Sequence, residues 1–340
     1  MASIPRPLML NVRRESFAYA KPFRISGHVF TQTVLVVAEI SDGTHTGRGE
    51  GAGVYYLGDD ADTMEAAIES VRLAIEAGAT RADLQDLLPP GGGRNALDCA
   101  YWELEAKASR TSVWQFAKVP QPRPLLTTIT LGAETPEAMA SAARALSDAK
   151  ALKLKLTGDA GVDAQRVAAV RGARPECWIG VDANQGYAIA DLPALVDMLL
   201  AYEVKLLEQP LARGREADLD GFDRRMMFAA DESALSLADI ASLVGRFDVV
   251  NIKLDKCGGL TEGLAIAARA KALGLGVMVG NMMGTSLSMA PSFVLGQLCD
   301  IVDLDGPTFL AADREPSVEY RDGAIWCPDR VWGYATDPTE

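Results

Sequence analysis

Lys153 and Lys155 alternate with leucines in the stretch LKLKL. Downstream, three short apolar runs each end in an acid: Asp182 in GVDANQ, Glu208 in LLEQP and Asp231 in AADES. Lys253 closes the run VVNIK, and Asp303 and Asp305 alternate in IVDLD. If the acids end neighbouring strands about 4.8 Å apart, they converge, repel one another and raise each other's pKa. A divalent cation removes that conflict. Ligation by oxygen alone favours Mg²⁺, one per subunit, with Mn²⁺ as a substitute, over zinc. Any one of these acids alone reads as a helix N-cap or a solvated loop charge. The metal reading rests on all three recurring at strand ends in order. Lysines beside such a cation are suited to proton transfer once neutral, and Lys153 would lower the pKa of Lys155 by like charge.

These residues need elements to aim them. From about residue 124 apolar strands alternate with Ala-rich helices: TTITLG, ALKLKL, CWIGVD, VKLLEQ, MFAAD, VVNIK, GVMVGN and IVDLD. Eight βα units fit a (β/α)₈ barrel, whose sites lie at the C-terminal mouth, better than the open parallel sheet that the period alone also allows. Leu152, Leu154 and Leu156 then face the helices, and Lys153 and Lys155 face the interior. Strand six lies opposite strand two, which sets Lys253 across from Lys155; Lys256, just beyond, reads as a loop lysine. Strand eight places Asp303 and Asp305 on one face. A substrate carboxylate on the metal and a cationic group on the two aspartates would put the intervening carbon between the lysines, arranged for 1,1-proton transfer. Asn184 and Glu232 adjoin the metal acids and read as supporting or solvent-facing groups. Asn281, ending strand seven, reads as a substrate contact or a helix cap.

Residues 1–120 show strands first and helices after, an α+β capping module; 121–312 form the barrel; 313–340, with the DG turn of SVEYRDGAIW, return to the cap. Within the cap, the Gly-rich THTGRGEGAGVYY reads as a strand segment, and GRGEGAG inside it as a turn over the mouth rather than a cofactor cradle. The 340 residues carry a net charge of −13, which argues against nucleic acid as a partner. No apolar run approaches a bilayer span, and MASIPRPLML lacks a signal-peptide pattern. Five scattered cysteines without C-x-x-C spacing suggest reduced thiols and a cytoplasmic protein. With only His28 and His45, a zinc site or Ser-His-Asp triad has little to work with.

The motifs KLK, DANQGY, EQP, DES, NIKLDKCGG and DLDGP together resemble the muconate-lactonizing subgroup of the enolase superfamily, and within it the dipeptide epimerases. The resemblance implies a modified (β/α)₈ TIM-type barrel under an α+β capping domain, Mg²⁺, two opposed catalytic lysines, Lys155 and Lys253, and epimerisation of the C-terminal residue of a dipeptide such as L-Ala-D/L-Glu. It further implies a role in cell-wall peptide recycling, Asp303 and Asp305 holding the substrate's α-ammonium, and Thr130 touching substrate. A homo-oligomer is expected. Members acting on Ala-Glu carry a capping-loop Arg; here Gly27 falls at that place, with either Arg24 as a substitute or Val29 and Phe30 as an apolar pocket, which leaves a second residue other than Glu open. Muconate cycloisomerase, o-succinylbenzoate synthase and N-succinylamino acid racemase remain alternatives, as does a catalytically silent metal-binding scaffold.

Overall fold

The computed structural model describes residues 7–25 and 28–335. Strands β1 (Met9–Ile25), β2 (His28–Ser41) and β3 (Thr46–Gly51) form an antiparallel sheet. The helix Gly92–Ser109 lies across it. Most of GRGEGAG is therefore strand β3 rather than a turn, because glycine is needed there for close packing. A Cβ on Gly47 or Gly49 would fall 2.0 Å from the carbonyl oxygens of Ala100 or Ala96. Apolar residues of β2, this helix and the helix Ala61–Ser70 make the core of the module, including Val36, Ile40, Met64, Ile68 and Leu97.

After β4 (Leu125–Leu126) come eight parallel strands: β5 (Thr128–Leu131), β6 (Ala151–Lys155), β7 (Trp178–Asp182), β8 (Leu206–Glu208), β9 (Met227–Ala230), β10 (Val249–Ile252), β11 (Gly276–Val279) and β12 (Ile301–Val302). They pair in chain order. The fold is the modified (β/α)₈ barrel with an α+β cap. After β8, β9 and β12 the described residues form only 3₁₀ turns, Glu216–Leu219, Ile240–Leu243 and Gly306–Phe309, where an alternating pattern predicts α-helices. Leu152, Leu154 and Leu156 are fully buried in the outer core against helices.

Inside the barrel, the lower layer is an apolar plug of Leu206, Ala229, Val249 and Met278. Two residues further along the same strands, the inward positions turn polar: Glu208, Asp231 and Asn251. The seam between the first and last barrel strands is bridged by side chains. Leu304 N–H donates to Thr127 Oγ1 at 2.9 Å, and Thr130 N–H donates to Asp305 Oδ2 at 2.6 Å.

The DG turn closes the hairpin of β13 (Glu319–Arg321) and β14 (Ala324–Trp326). The hairpin pairs with β4 rather than with the cap. Arg314, before the hairpin, pairs with Glu15 and Glu50 of the first module, and the residues after the hairpin reach that module again, where Trp332 Nε1 donates to Arg48 O and Gly333 N–H to Glu103. Among the described residues no helix is long and apolar enough to cross a membrane.

Candidate active site

Asp182 ends β7, Glu208 ends β8, and Asp231 follows β9 by one residue. Strand register brings them together: Asp182 pairs with Glu208, and Glu208 with Ala229, one repeat below Asp231. One oxygen from each acid lies within 4.8 Å of the others, and all three residues are almost completely buried. Two further buried acceptors in the same locality, Asn184 Oδ1 and Glu232 Oε2, have no hydrogen-bond partner among the described residues. Buried acids with unsatisfied oxygens around them suit a hard, oxygen-seeking cation with an outer shell of polar groups.

The lysines flank this cluster. Lys155 Nζ is 2.6 Å from Asp182 Oδ2, and Lys253 Nζ is 2.6 Å from Asp231 Oδ2. With β7, β8 and β9 between their strands, the two amines stand at opposite ends of the acidic arc. Both line one cavity of about 390 Å³ between the barrel mouth and the cap. Lys153, one layer deeper, reaches Glu208 at 2.7 Å, Asp303 at 2.9 Å and Asp182 at 3.4 Å. Its charge is thus matched by acids on the spot.

Mutual repulsion does not raise all three acids. Burial pushes Glu208 up to about 7. Burial also works against ionised Asp182 and Asp231, but the lysines beside each outweigh it and hold both low. Lys253 is pulled down by burial and lifted above its ordinary value by Asp231. Glu232 is pushed up to about 8 by burial and by Asp231.

Lys256 corrects the reading of a loop lysine. It lies in a short helical turn, Leu254–Cys257, that folds it under the site, where its side chain is fully buried. Its ammonium donates to Asp231 Oδ1 and Asp231 O, both at 2.6 Å, and to Asn251 O at 2.9 Å. All three of its donors are therefore occupied, whereas Lys253 keeps capacity facing the cavity. Asn251 was also not foreseen. Its Nδ2 donates to Glu208 Oε1 at 2.8 Å, and Gly280 leaves the room, since a Cβ there would sit 2.7 Å from Asn251 Oδ1.

Asp303 and Asp305 lie just past β12 and differ in their partners. Asp303 accepts from Lys153 through Oδ2 and from Thr128 Oγ1 through Oδ1. Asp305 accepts from the Thr130 N–H through Oδ2 and from the Thr130 hydroxyl, and Asn281 Nδ2 approaches Oδ1 at 3.5 Å. Burial, with Asp303 beside it, pushes Asp305 up to about 6. Asn281 lines the cavity and donates to Asp303 O at 2.6 Å, holding this turn. Thr130 also lines the cavity.

The cap closes the cavity with Tyr19, Phe30, Tyr55 and Tyr56, the rings of Phe30 and Tyr55 meeting edge to face at 5.6 Å. The end of β3 is tied to the barrel on either side of Gly51. Buried Glu50 accepts from the Thr285 N–H at 2.8 Å and from Arg314, and Asp255 Oδ1 accepts from Ala52 N–H at 2.9 Å. Gly27 and the side chain of Arg24 lie outside the described residues.

Residues 137–338 match the family model described as Enolase C-terminal domain-like. The chain is 36% identical over 316 residues to the L-Ala-D/L-Glu epimerase of Escherichia coli (strain K12), covering 93% of this chain and 98% of that protein. It is 39% identical over 247 residues to the N-acetyl-D-glutamate racemase of a Pseudoalteromonas species, covering 72% and 76%. The crystal structure of the dipeptide epimerase from Methylococcus capsulatus, complexed with Mg and the dipeptide L-Arg-D-Lys, is similar with a TM-score of 0.88 at 27% identity, covering 93% of this chain and 96% of that one.

Proposed function

The chain belongs to the enolase superfamily, and on that footing we propose that it is an Mg²⁺-dependent dipeptide epimerase. The observation that carries the reading is the pair of lysines, Lys155 and Lys253, flanking three buried carboxylates in one cavity. Asp182, Glu208 and Asp231 would hold the cation, with Asn184 and Glu232 in support. When bound, Mg²⁺ supplies positive charge that stabilises the negative charge developing on a substrate carboxylate as the adjacent α-proton leaves, and it competes with the lysines for the same acidic oxygens.

The chain's own groups do the rest. Asp305 and Asp303, which both line the cavity, receive the α-ammonium of the dipeptide; Thr130 and Asn281 position that end. This fixes the C-terminal α-carbon between the two amines. One lysine, as the neutral amine, removes the proton from one face, and the other, as the ammonium, returns one to the opposite face; the roles exchange for the reverse reaction. The aromatic cap wall keeps water from the carbon while it is deprotonated. L-Ala-D/L-Glu or a related dipeptide is the proposed substrate, and recycling of cell-wall peptides the proposed setting. The cytoplasm is the proposed compartment, supported by five free thiols.

The similarity to an N-acetyl-D-glutamate racemase favours a second reading, in which the substrate nitrogen is acylated. Incubation with Mg²⁺ in D₂O separates the two. Exchange of the α-proton in free dipeptides, followed by NMR, supports epimerisation of dipeptides. Exchange in N-acylated amino acids alone supports the second reading, and exchange in neither, with metal bound, removes both.

A further inference from the structure

Gln209 follows Glu208 directly and is completely buried. Its φ of +37° is left-handed, a conformation that costs a non-glycine residue energy and calls for a reason. The local ladder supplies one. Gln209 N–H donates to Ala229 O at 2.9 Å, as a parallel pair requires. The next bond in such a ladder would run from Asp231 N–H to Gln209 O. That carbonyl has turned away and accepts instead from Gln185 N–H at 2.8 Å, on the β7 side. The side-chain carbonyl takes its place: Oε1 accepts from Asp231 N–H at 3.0 Å and from Ser233 N–H at 3.1 Å. The amide nitrogen is also fully used, donating to Leu211 O at 2.9 Å and Ser233 Oγ at 2.8 Å. One carboxamide thus mimics a peptide unit beyond the end of the strands, with all four of its hydrogen bonds made.

We propose that Gln209 is a positioning residue for the metal site: its main chain faces the loop after Asp182, and its side chain fixes the main chain of Asp231, so one residue sets the spacing of the three ligand-bearing strand ends. The inference rests on the metal reading above. It gives the left-handed turn a function, because a right-handed or extended residue here would return its carbonyl to β9 and lose the link to the β7 loop. An apolar side chain would leave the Asp231 and Ser233 N–H groups buried without acceptors.

The test compares wild type with Gln209→Met, which keeps length and removes every polar bond. Mg²⁺ binding is measured by calorimetry on the full chain, with dipeptide kcat and KM measured at saturating Mg²⁺. The expected result is Mg²⁺ affinity lower by about 10- to 100-fold and reduced kcat, with KM for dipeptide little changed. Ser233→Ala, which removes one partner of the amide nitrogen and the Ser233 Oγ bond to Glu216 but leaves both bonds to Gln209 Oε1, serves as the stability control: a lowered Tm with Mg²⁺ affinity near wild type. Folded Gln209→Met that binds Mg²⁺ as tightly as wild type overturns the proposal. Wild type that binds no Mg²⁺ overturns the metal reading instead. Should Gln209→Met not fold, amide hydrogen exchange in wild type decides: the Asp231 and Ser233 amides are expected to be strongly protected, and exchange at the rate of open loops overturns the clamp.

Discussion

Asp305→Asn tests how the site recognises the free amine. Asp305 is buried, gives one oxygen to the seam through the Thr130 N–H, and lines the cavity. The asparagine retains an acceptor for Thr130 but removes the negative charge. A hydrogen bond to a charged group contributes about 1.5–3 kcal/mol. At about 1.4 kcal/mol per tenfold, losing it lowers kcat/KM for a free-amine dipeptide by roughly 10- to 150-fold. The assay is the rate of α-proton exchange in D₂O for a dipeptide and for its N-acetyl form, in both proteins. The variant is expected to lose rate on the free dipeptide and to show no comparable loss on the acetylated one. The pH profile gives a second check. With its pKa raised to about 6, Asp305 takes up a proton as pH falls through that value, so kcat/KM for free dipeptides falls below about pH 6. Equal turnover of free and acetylated dipeptides by wild type, or an Asp305→Asn variant unchanged on the free dipeptide, would refute the assignment.

Lys155→Ala and Lys253→Ala should each lower epimerisation by about 10²- to 10⁴-fold or more, while each single variant still exchanges the α-proton of one stereoisomer; identical loss of both exchanges in D₂O counts against two opposed bases. Lys256→Met strands Asp231 Oδ1, Asp231 O and Asn251 O without a buried donor, and unfolding by urea should show a loss of about 3–5 kcal/mol; an unchanged midpoint would contradict the buried three-bond geometry. Asp255 is pushed up to about 7 by burial, so the folded state holds its proton where the unfolded chain has lost it. Stability from this group is therefore greatest below about pH 4 and falls as pH rises to about 7, by roughly 4 kcal/mol at most. Asp255→Asn should remove that slope relative to wild type in urea titrations across this range, and parallel slopes would show that Asp255 is not the group responsible.

The barrel and the acidic trio were legible in the sequence because both follow from local rules. Period-two alternation in LKLKL says which side chains face inward, and a short apolar run ending in an acid says where a strand stops. Repetition along the chain then orders Lys155, Asp182, Glu208, Asp231 and Lys253 around a mouth. Lys256 shows where such rules end. Its spacing from Lys253 is that of an ordinary loop lysine, and only the short turn 254–257, packed beneath Asp231, makes it a buried donor. Gln209 is likewise silent in sequence, since its side chain replaces a main-chain bond that exists only once β8 and β9 are in register.

The i, i+2 spacing of Asp303 and Asp305 gave them a common face but not their different partners. Closing the seam commits one oxygen of Asp305 to Thr130, and the depth of Lys153 commits Asp303. The sequence by itself therefore determined which residues face the interior and in what order, because those properties depend on backbone periodicity over a few residues. Which of them are saturated by neighbours and which keep an open valence was decided by the tertiary structure alone. A buried polar group must find a partner, and its partners here come from strands far apart in the chain.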